Sequence, residues 1–317
     1  MAHTPVLIGT RGSALAVTQT TTVANTLAEL GGFDVDLVRV RTEGDVNRAA
    51  LSQIGGTGVF VAALRESLLA GDCDVAVHSL KDLPTAEADG LTIGAVPARV
   101  DVRDALCARD GLTLAQLPAG AKVGTGSPRR AAQLRAARPD LEIVDIRGNV
   151  DTRLGRVAGL VEGAPGDLDA VVLAAAGLSR LGRLDMVSEL LDPSVMLPAP
   201  GQGALAVECR TADAAEGPLS RALAAYDDTA SRMTVTAERA LLQRLEAGCT
   251  APIGALARVT DQGLALEAVV CSDDGTQVLR RYSSTSQADE DGARALGIRM
   301  AEELLAAGAA DLTDLAS

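Results

Sequence analysis

The sequence is poor in aromatic residues and has no long apolar run. It contains no tryptophan, and only 1% of its 317 residues are aromatic although 47% are hydrophobic. Its cores must therefore consist of leucine, valine, isoleucine and alanine, and its length suggests two or three domains. No apolar run approaches the roughly 20 residues of a membrane span. The start, MAHTPVLIGT, lacks the basic segment and long apolar run of a signal peptide, so we expect neither a membrane partner nor export.

Histidine is equally scarce, and the cysteines follow no regular spacing. The only histidines are His3 and His78, and no CxxC pair occurs. An odd number of irregularly spaced cysteines predicts neither a disulfide framework nor a zinc site, so we expect no metal and a reducing cytoplasm. The five cysteines are Cys73, Cys107, Cys209, Cys249 and Cys271.

Basic residues are outnumbered, and nearly all of them are arginine. The formal net charge is −13, which argues against general binding to nucleic acid or to anionic membranes. Of the 29 basic residues only Lys81 and Lys122 are lysines. The bias towards arginine is typical of a genomic preference, and it draws attention to the two lysines that remain.

One segment, residues 124–156, is basic within this acidic chain. Gly124 and Gly126 allow a tight turn after a predicted strand, Ser127 is a favoured helix N-cap, and Pro128 suits the first helical position. A helix N-terminus beside arginines predicts an anion-binding site. The segment contains Arg129, Arg130, Arg135, Arg138, Arg147, Arg153 and Arg156.

A second turn in this segment, Arg147-Gly148-Asn149, leads into another predicted helix that carries Arg153. The four arginines at the two turns are therefore the candidates for anion binding. The alternative, that helical arginines form a solvated surface, stays open above all for Arg135, Arg138 and Arg156.

The order of predicted elements in residues 6–98 recurs in residues 122–174. IGTRGS resembles VGTGSP, and each is followed by a helix, a strand, a second helix and a further strand. We interpret these as two related α/β units with parallel strands and right-handed connections. Helices are predicted to about 13–30, 59–70, 127–138 and 150–161. Because ligands bind beyond the carboxyl ends of such strands, one cleft should collect Arg11, Ser13, Lys81, Asp82, Ser127, Arg129, Arg130 and Arg147.

The remainder of the chain predicts a small α+β domain with Cys249 on a loop at its start. A helix around Glu238 precedes GCTAPIGALA, two strands follow, and an amphipathic helix over about 288–307 ends the pattern. From the residues alone, Cys249 is a buried small residue, a nucleophile or an attachment point. The predicted domains are 1–98 with 203–222, 103–198, and 226–317.

Asp82, in the turn HSLKDLP, is the candidate for chemistry. Beside Lys81 it could be a surface ion pair, but in an arginine-rich cleft it would stay ionised and could stabilise a developing cation. Only His78 lies in a predicted site, so a histidine triad is excluded. GTRGS and GTGSPRR lack the Lys-Ser/Thr ending of a P-loop, which argues against nucleotide hydrolysis.

Several strings in register resemble the porphobilinogen deaminase (hydroxymethylbilane synthase) family, from residue 6 to about 257. They are VHSLKDLPT (77–85), GTGSPRRAAQL (124–134), IRGNVDTRL (146–154), AAAGLSRLG (174–182), LPAPGQGALAVECR (197–210) and AERALLQRLEAGCTAPIG (237–254). The resemblance implies two similar periplasmic-binding-protein-like (type II) α/β lobes around a cleft, with a small C-terminal α+β domain.

The resemblance also implies an activity. The family joins four porphobilinogen molecules head to tail with loss of ammonia, on a dipyrromethane cofactor held by a cysteine thioether, and releases hydroxymethylbilane. The match places that bond on Cys249. Every pyrrole carries an acetate and a propionate, so the arginine cluster is a local counter-charge for a polyanion.

Roles follow residue by residue from the resemblance. Asp82 would bond pyrrole N–H groups and stabilise the cationic azafulvene formed as ammonia leaves. Arg11, Arg147 and Arg153 would hold the incoming substrate, and Arg153 would also approach the cofactor. The cofactor would be held by Lys81, Ser13, Ser127, Arg129 and Arg130, with Gln19, Arg180 and Phe60 as further substrate-binding candidates.

The sequence departs from the family in the loop before residue 59, where Gln53 and Thr57 stand in place of frequent lysines, although Phe60 is retained. The charge and closure of that loop are therefore expected to differ. The alternative from another class is a non-catalytic two-lobed anion-binding or sensor protein. A transferase acting on a phosphorylated substrate is a third interpretation, and the family resemblance favours a monomer.

Overall fold

The computed structural model describes residues 5–40, 58–246, 251–313 and 315, with the backbone alone at 58–60. The chain divides into two compact units. The first comprises Met1–Arg99 and Ala204–Arg232, and the second comprises Val100–Gly203 and Met233–Ser317. Gln53, Thr57 and Cys249, which the sequence singled out, lie outside the described residues.

The first unit is built on a five-stranded sheet with helices on both faces. Its elements in chain order are β1 (Val6–Thr10), α1 (Ala14–Gly31), β2 (Val35–Arg39), α2 (Gly58–Ala70), β3 (Val75–Ser79), β4 (Leu91–Ala95), β10 (Leu205–Arg210) and α6 (Pro218–Tyr226). The strand order is β2-β1-β3-β10-β4. The strands β1, β2 and β3 are parallel, whereas β10 runs antiparallel to both of its neighbours.

Two apolar layers hold this sheet between its helices. Val75 and Val77 of β3 pack with Leu27 of α1 and with α6 on one face. Ala76, which points to the opposite face, packs with Leu64 and the rest of the apolar stripe of α2. The alternation of side chains along a strand therefore places α1 and α2 on opposite sides of β3.

The second unit contains a sheet of the same design. Its elements are β5 (Asp104–Ala108), β6 (Lys122–Gly124), α3 (Pro128–Ala137), β7 (Glu142–Val144), α4 (Val150–Leu154), β8 (Ala170–Ala174), α5 (Ala175–Arg180) and β9 (Glu189–Leu190). The order β7-β6-β8-β5-β9 repeats that of the first sheet position by position, with β5 as the antiparallel strand. The two similar α/β lobes are thus confirmed, while a cleft between them stays a prediction.

Two predictions about these lobes were wrong. The sheets are mixed rather than parallel, because β10 in the first sheet and β5 in the second run antiparallel to their neighbours. The helix expected over 150–161 ends at Leu154. Beyond it the chain turns back so that Val157 forms a bridge with Leu168, and Gly159 adopts a positive φ of 72°.

The C-terminal part is a three-stranded antiparallel sheet covered by two helices, which confirms the small α+β domain. Its elements are α7 (Thr229–Arg244), β11 (Ile253–Thr260), β12 (Gly263–Cys271), β13 (Val278–Thr285) and α8 (Glu290–Ala306). Leu256 and Val269 on this sheet pack against Ala132 and Leu197 within the second unit. The division into three domains stays a prediction.

The helix ends follow local capping rules. Ser13 accepts a hydrogen bond from the Ala16 amide at 3.3 Å and so caps α1, as predicted. Gly32, with a φ of 63°, closes the same helix by donating its amide to the Ala28 carbonyl. No helix among the described residues has the length and apolar character that a bilayer crossing needs.

Candidate active site

Asp82 stands in a short turn that is fixed at the end of β3. The strand ends at Ser79, and residues Leu80–Asp82 form one turn of 3-10 helix. The Leu80 amide donates to the Ala204 carbonyl at 3.1 Å, which attaches the turn to the residue just before β10. The turn therefore holds Asp82 on a defined backbone while leaving its side chain half-buried.

A cavity of ≈ 100 Å³ within the first unit opens beside this turn. Its apolar wall comes from α1, α2 and β3. The cavity is also lined by four of the predicted site residues, which are Arg11, Ser13, Gln19 and Asp82. His78 and Ser79 are the other polar residues in its wall. A small cavity with one carboxylate, one guanidinium and several hydrogen-bonding groups suits a small ligand that carries an anionic substituent.

Secondary structure explains why these side chains meet. Arg11 follows β1 directly, and Ser13 begins α1 as its cap. One and a half turns later Gln19 is buried on the face of α1 towards β3, where its Nε2 donates to Ser79 Oγ at 3.2 Å. The carboxyl ends of two neighbouring parallel strands therefore deliver Arg11 and Asp82 to the same place, as such sheets do for ligands.

Behind the cavity lies a buried ion network that the sequence reasoning missed. Glu208 on β10 is 2% exposed, and its carboxylate contacts His78 Nε2 at 3.1 Å and the Arg65 guanidinium at 2.9 Å. Burial alone would raise the pKa of Glu208, but hydrogen bonds from His78 and Arg65 outweigh it and lower the pKa below its ordinary value. The signal in the sequence was an acidic residue inside the apolar run ALAVEC.

In the second unit, the turn before α3 has the predicted geometry. Ser127 caps the helix by accepting from the Arg130 amide at 3.5 Å, and Pro128 occupies the first helical position. Gly126 is required by close packing, because a Cβ there would lie 2.4 Å from the Ile146 carbonyl oxygen. The helix thus starts at a turn that no larger residue could make.

The two arginines that follow this turn are buried, not spread on the surface. Arg129 and Arg130 are 4% and 5% exposed and share Asp104, which is fully buried. Arg129 Nη1 lies 2.8 Å from Asp104 Oδ2, and Arg130 Nη2 lies 2.7 Å from Oδ1. Burial raises the pKa of Asp104, but the charges of both arginines and a hydrogen bond from Gln202 outweigh it, so the carboxyl stays ionised.

This buried group carries a net positive charge and one unsatisfied donor. Asp104 balances only one of the two guanidinium charges. Arg129 Nη1 also donates to the Leu197 carbonyl at 2.6 Å, but Arg129 Nε is buried and finds no hydrogen-bond partner among the described residues. Removing one partner of such a buried pair costs about 3–5 kcal/mol. Asp104 and Gln202 were not predicted, because they lie far from α3 in the sequence.

The second turn brings Arg147 and Arg153 into the same unit. Asn149 caps α4 by accepting from the Thr152 amide at 2.8 Å. Arg153 Nε donates to the Gly148 carbonyl at 2.8 Å, and burial together with the charge of Arg130 lowers the pKa of Arg153. Arg147 is largely exposed. Arg153 and Arg130 are therefore near enough to repel each other, which an anion between them would relieve.

The remaining predicted site residues line neither the Asp82 cavity nor the two arginine turns, or their side chains are not described. Arg180 Nη2 donates to the Gly203 carbonyl at 2.9 Å, and Lys81 is half-buried in the turn before Asp82. Phe60 belongs to α2, of which only the backbone is described there. The three arginines for which the surface alternative was open all have protein partners. Arg138 and Arg156 form ion pairs with the nearby Asp140 and Asp167, and Arg135 donates to the carbonyl of Asp273, which is distant in sequence.

The described part of the chain contains no cluster of side chains that could bind a metal ion. Within residues 5–40, 58–246, 251–313 and 315, no three side chains of histidine, cysteine, aspartate or glutamate gather in a way that could hold an ion. The groups present are carboxylates, guanidiniums, hydroxyls and amides. They can bind carboxylate substituents and stabilise positive charge that develops beside Asp82.

Comparison with protein families gives two matches that together cover most of the chain. Residues 6–216 match the family model described as "Porphobilinogen deaminase, dipyromethane cofactor binding domain". Residues 232–306 match "Porphobilinogen deaminase, C-terminal domain". The first match contains every described residue discussed above in the two α/β sheets, and the second covers most of the C-terminal sheet domain.

Individual relatives are similar over almost their whole length. A porphobilinogen deaminase of Cutibacterium acnes is 57% identical over 325 residues, 98% of this chain and 97% of that protein. That of Thermobifida fusca is 54% identical over 314 residues, covering 98% and 96%. Among solved structures, a periplasmic substrate-binding protein from Coxiella burnetii aligns over 70% of this chain and 91% of its own at 14% identity, with a TM-score of 0.43.

Proposed function

Because the chain belongs to the porphobilinogen deaminase family, we propose that the cavity beside Asp82 is where its reaction takes place. The protein is a transferase, hydroxymethylbilane synthase. It joins four porphobilinogen molecules head to tail with loss of ammonia on a dipyrromethane cofactor and releases hydroxymethylbilane for tetrapyrrole biosynthesis. The observation that carries the proposal is the grouping of Asp82, Arg11, Ser13 and Gln19 around one cavity.

Asp82 is the catalytic residue. As ammonia leaves, positive charge develops on the substrate, and a carboxylate fixed within reach of the pyrrole ring stabilises that charge more in the transition state than in the ground state. The backbone hydrogen bond of Leu80 to Ala204 keeps the turn in place, so little reorganisation is needed when the charge forms. Arg11, on the neighbouring strand end, binds a carboxylate substituent of the same substrate.

The residues of the second unit fit an anionic cofactor. Their net positive charge, the unsatisfied Arg129 Nε and the repulsion between Arg130 and Arg153 are all relieved by carboxylates. Ser127 and the buried arginine pair would hold the dipyrromethane. Ser13 and Lys81 of the first unit stay cofactor-binding candidates on the family resemblance alone. When bound, that group supplies the pyrrole carbon to which the first substrate is joined. Arg147 and Arg153 would bind the carboxylates of incoming substrate.

Cys249 is the proposed attachment point. It stands in the string GCTAPIG, which matches the family's attachment motif, and the second family model includes it. The cysteines Cys73, Cys107, Cys209 and Cys271 are buried free thiols. Burial raises the pKa of Cys107 to about 12 and that of Cys271 to about 11, so neither is suited to nucleophilic attack at neutral pH.

We further propose that the protein acts as a monomer in the cytoplasm, with porphobilinogen as its small-molecule partner. The free thiols support a reducing compartment. The non-catalytic binding or sensor alternative is not favoured, because relatives named as the deaminase match nearly the full chain.

The attachment is tested by intact mass. The wild-type protein should exceed its chain mass by two pyrrole units and give a coloured product with Ehrlich's reagent, whereas Cys249→Ser should have the bare chain mass. Cys271→Ser serves as the matched control, since it alters a buried thiol of the same C-terminal domain and should keep the increment. A two-pyrrole increment on the Cys249→Ser protein would move the attachment to another cysteine and refute the proposal.

A further inference from the structure

A buried glutamine side chain fixes the backbone of a segment that belongs to no helix or strand. The segment contains Leu197, whose amide donates to Gln133 Oε1 at 2.8 Å and whose carbonyl accepts from Gln133 Nε2 at 3.0 Å. Both residues are buried, and buried backbone groups outside regular structure need partners of this kind. Pro198 follows and favours an extended backbone at Leu197. Gln133 therefore defines how the Leu197 amide and carbonyl are oriented.

The same carbonyl also holds Arg129. Arg129 Nη1 donates to the Leu197 oxygen at 2.6 Å, so this oxygen accepts from two side chains of α3. Gln133 lies one helical turn after Arg129, which places the two side chains next to each other on one face of the helix. Gln133 thus fixes the acceptor that orients the Arg129 guanidinium, whose Nε has no hydrogen-bond partner among the described residues.

The C-terminal sheet closes the opposite side of this contact. The Ala255 amide of β11 donates to the Pro198 carbonyl at 2.9 Å. A Cβ on the preceding Gly254 would lie 2.8 Å from the Leu197 oxygen, so the strand approaches the carbonyl as closely as a glycine allows. Because β11 packs against it in this way, the carbonyl has little room to move away from Arg129.

Gln133 makes these contacts without adding charge. A carboxamide offers both a donor and an acceptor, which is what the two backbone groups of Leu197 require. Asp104 balances one of the guanidiniums of Arg129 and Arg130, so the buried group stays net positive beside a neutral glutamine. A glutamate at position 133 has nearly the same shape and could still accept from the Leu197 amide, but its charge would balance the second guanidinium.

We propose that Gln133 is a positioning residue of the cofactor site, which fixes Arg129 through the Leu197 carbonyl and leaves the positive charge of the buried pair to the cofactor. The inference rests on the proposed role of Arg129 and Arg130 in holding the dipyrromethane. A residue that only stabilised the lobe could be a glutamate as well as a glutamine. Under the proposal the two differ, because a carboxylate at position 133 competes with the carboxylates of the cofactor.

Gln133→Glu and Gln133→Met separate these roles. Each protein is made in cells that supply no porphobilinogen and is then exposed to it, and intact mass follows the gain of the two-pyrrole increment. Gln133→Met loses the hydrogen bonds but adds no charge, so uptake should slow by up to about tenfold. Gln133→Glu should slow uptake by about ten- to a hundredfold, since a charge-assisted contact to the cofactor is lost. Its thermal midpoint should nevertheless be at or above that of Gln133→Met.

Ser188→Ala is the matched control. Ser188 Oγ also bonds two backbone groups in the second unit, because it accepts from the Ala108 amide at 3.1 Å and donates to the Leu106 carbonyl at 3.0 Å. Ala108 lies at the other end of β5 from Asp104. The loss of these bonds should lower the thermal midpoint but leave the rate of cofactor uptake unchanged.

Uptake by a folded Gln133→Glu protein at the wild-type rate would overturn the proposal. Uptake that falls in step with the thermal midpoint across Gln133→Met, Gln133→Glu and Ser188→Ala would also overturn it, since a structural role alone predicts that result. If Gln133→Met does not fold, Gln133→Glu decides the question, and failure of both to fold would assign Gln133 to the stability of the lobe and contradict the proposal.

Arg129→Leu in the same assay tells the two proposals apart. Normal uptake by Arg129→Leu would show that the buried arginine pair does not hold the cofactor, so the proposed function of that pair would fail. Loss of uptake in Arg129→Leu together with normal uptake in Gln133→Glu would refute the role of Gln133 alone.

Discussion

The two α/β lobes share one strand order but place their key carboxylates in opposite surroundings. In the first, Asp82 ends the strand β3 on the rim of a cavity and is half-buried. In the second, Asp104 on the antiparallel strand β5 is fully buried beneath Arg129 and Arg130. The same architecture thus carries an available negative charge in one lobe and an enclosed, positively charged group in the other.

The difference teaches how the same turn can serve two purposes. Ser13 and Ser127 cap equivalent helices, so the turn itself is structural in both lobes. What differs is the first turn after the cap: Ala14, Leu15 and Ala16 carry no charge, whereas Pro128 is followed by the buried Arg129 and Arg130. Buried arginines need a counter-charge, and Asp104 supplies it inside the second lobe.

Of the substitutions that separate the two lobes, Asp82→Asn should have the largest effect on activity. The substitution removes the charge while keeping the shape of the turn, so cofactor content and KM should change little. The value of kcat should fall roughly 10²–10³-fold, as expected for a group that acts on charge developing in the transition state. Single-turnover kinetics with porphobilinogen provide the measurement. A variant with half of the wild-type kcat would remove Asp82 from the mechanism.

A smaller effect should follow from changing the second turn. Arg153→Leu removes a partly buried guanidinium that we place against incoming substrate, and Arg147→Leu removes an exposed one. Each lost charge-assisted contact is worth about 1.5–3 kcal/mol, enough to lower substrate occupancy by one to two decades. Mass spectra after brief exposure to porphobilinogen should show attached cofactor with few or no additions.

Arg183→Leu provides the control for that series. Arg183 forms a surface ion pair with Asp151 at 3.1 Å in the same lobe. Surface pairs of this kind contribute about 0–1 kcal/mol, so its loss should leave the distribution of elongated products unchanged. Normal elongation by the Arg153→Leu protein would place the substrate carboxylates elsewhere.

Local features of the fold could be predicted from the sequence. Ser13, Ser127 and Gly32 act through residues at most four positions away, and the predicted caps and helix starts agree with the structure. The predicted helix over 150–161 was wrong beyond Leu154. Val157 pairs with Leu168 instead, a contact with a residue that the local helical pattern does not include.

Ion pairs between residues that are far apart in the sequence could not be predicted in the same way. Asp104 meets Arg130 over 26 residues, and Glu208 meets Arg65 over 143. Both acids sit in strands that run antiparallel to their neighbours, and no periodicity in the sequence records where such a strand is inserted in its sheet. The burial of each acid shows why a cation must accompany it, but the identity of that cation follows only from the folded chain.

The most direct test of the account is the intact mass of purified Arg129→Leu beside Arg135→Leu. Both substitutions lie on α3, but Arg129 is buried against Asp104 whereas Arg135 bonds the Asp273 carbonyl at the surface. Circular dichroism verifies that both proteins fold. If the leucine variant does not fold, Arg129→Lys keeps the counter-charge for Asp104 and should take up less cofactor than the wild type.

The account predicts that Arg135→Leu carries the full two-pyrrole increment and that Arg129→Leu has the bare chain mass. A folded Arg129→Leu protein that carries the cofactor and elongates it normally would contradict the claim that the buried arginine pair holds the anionic cofactor.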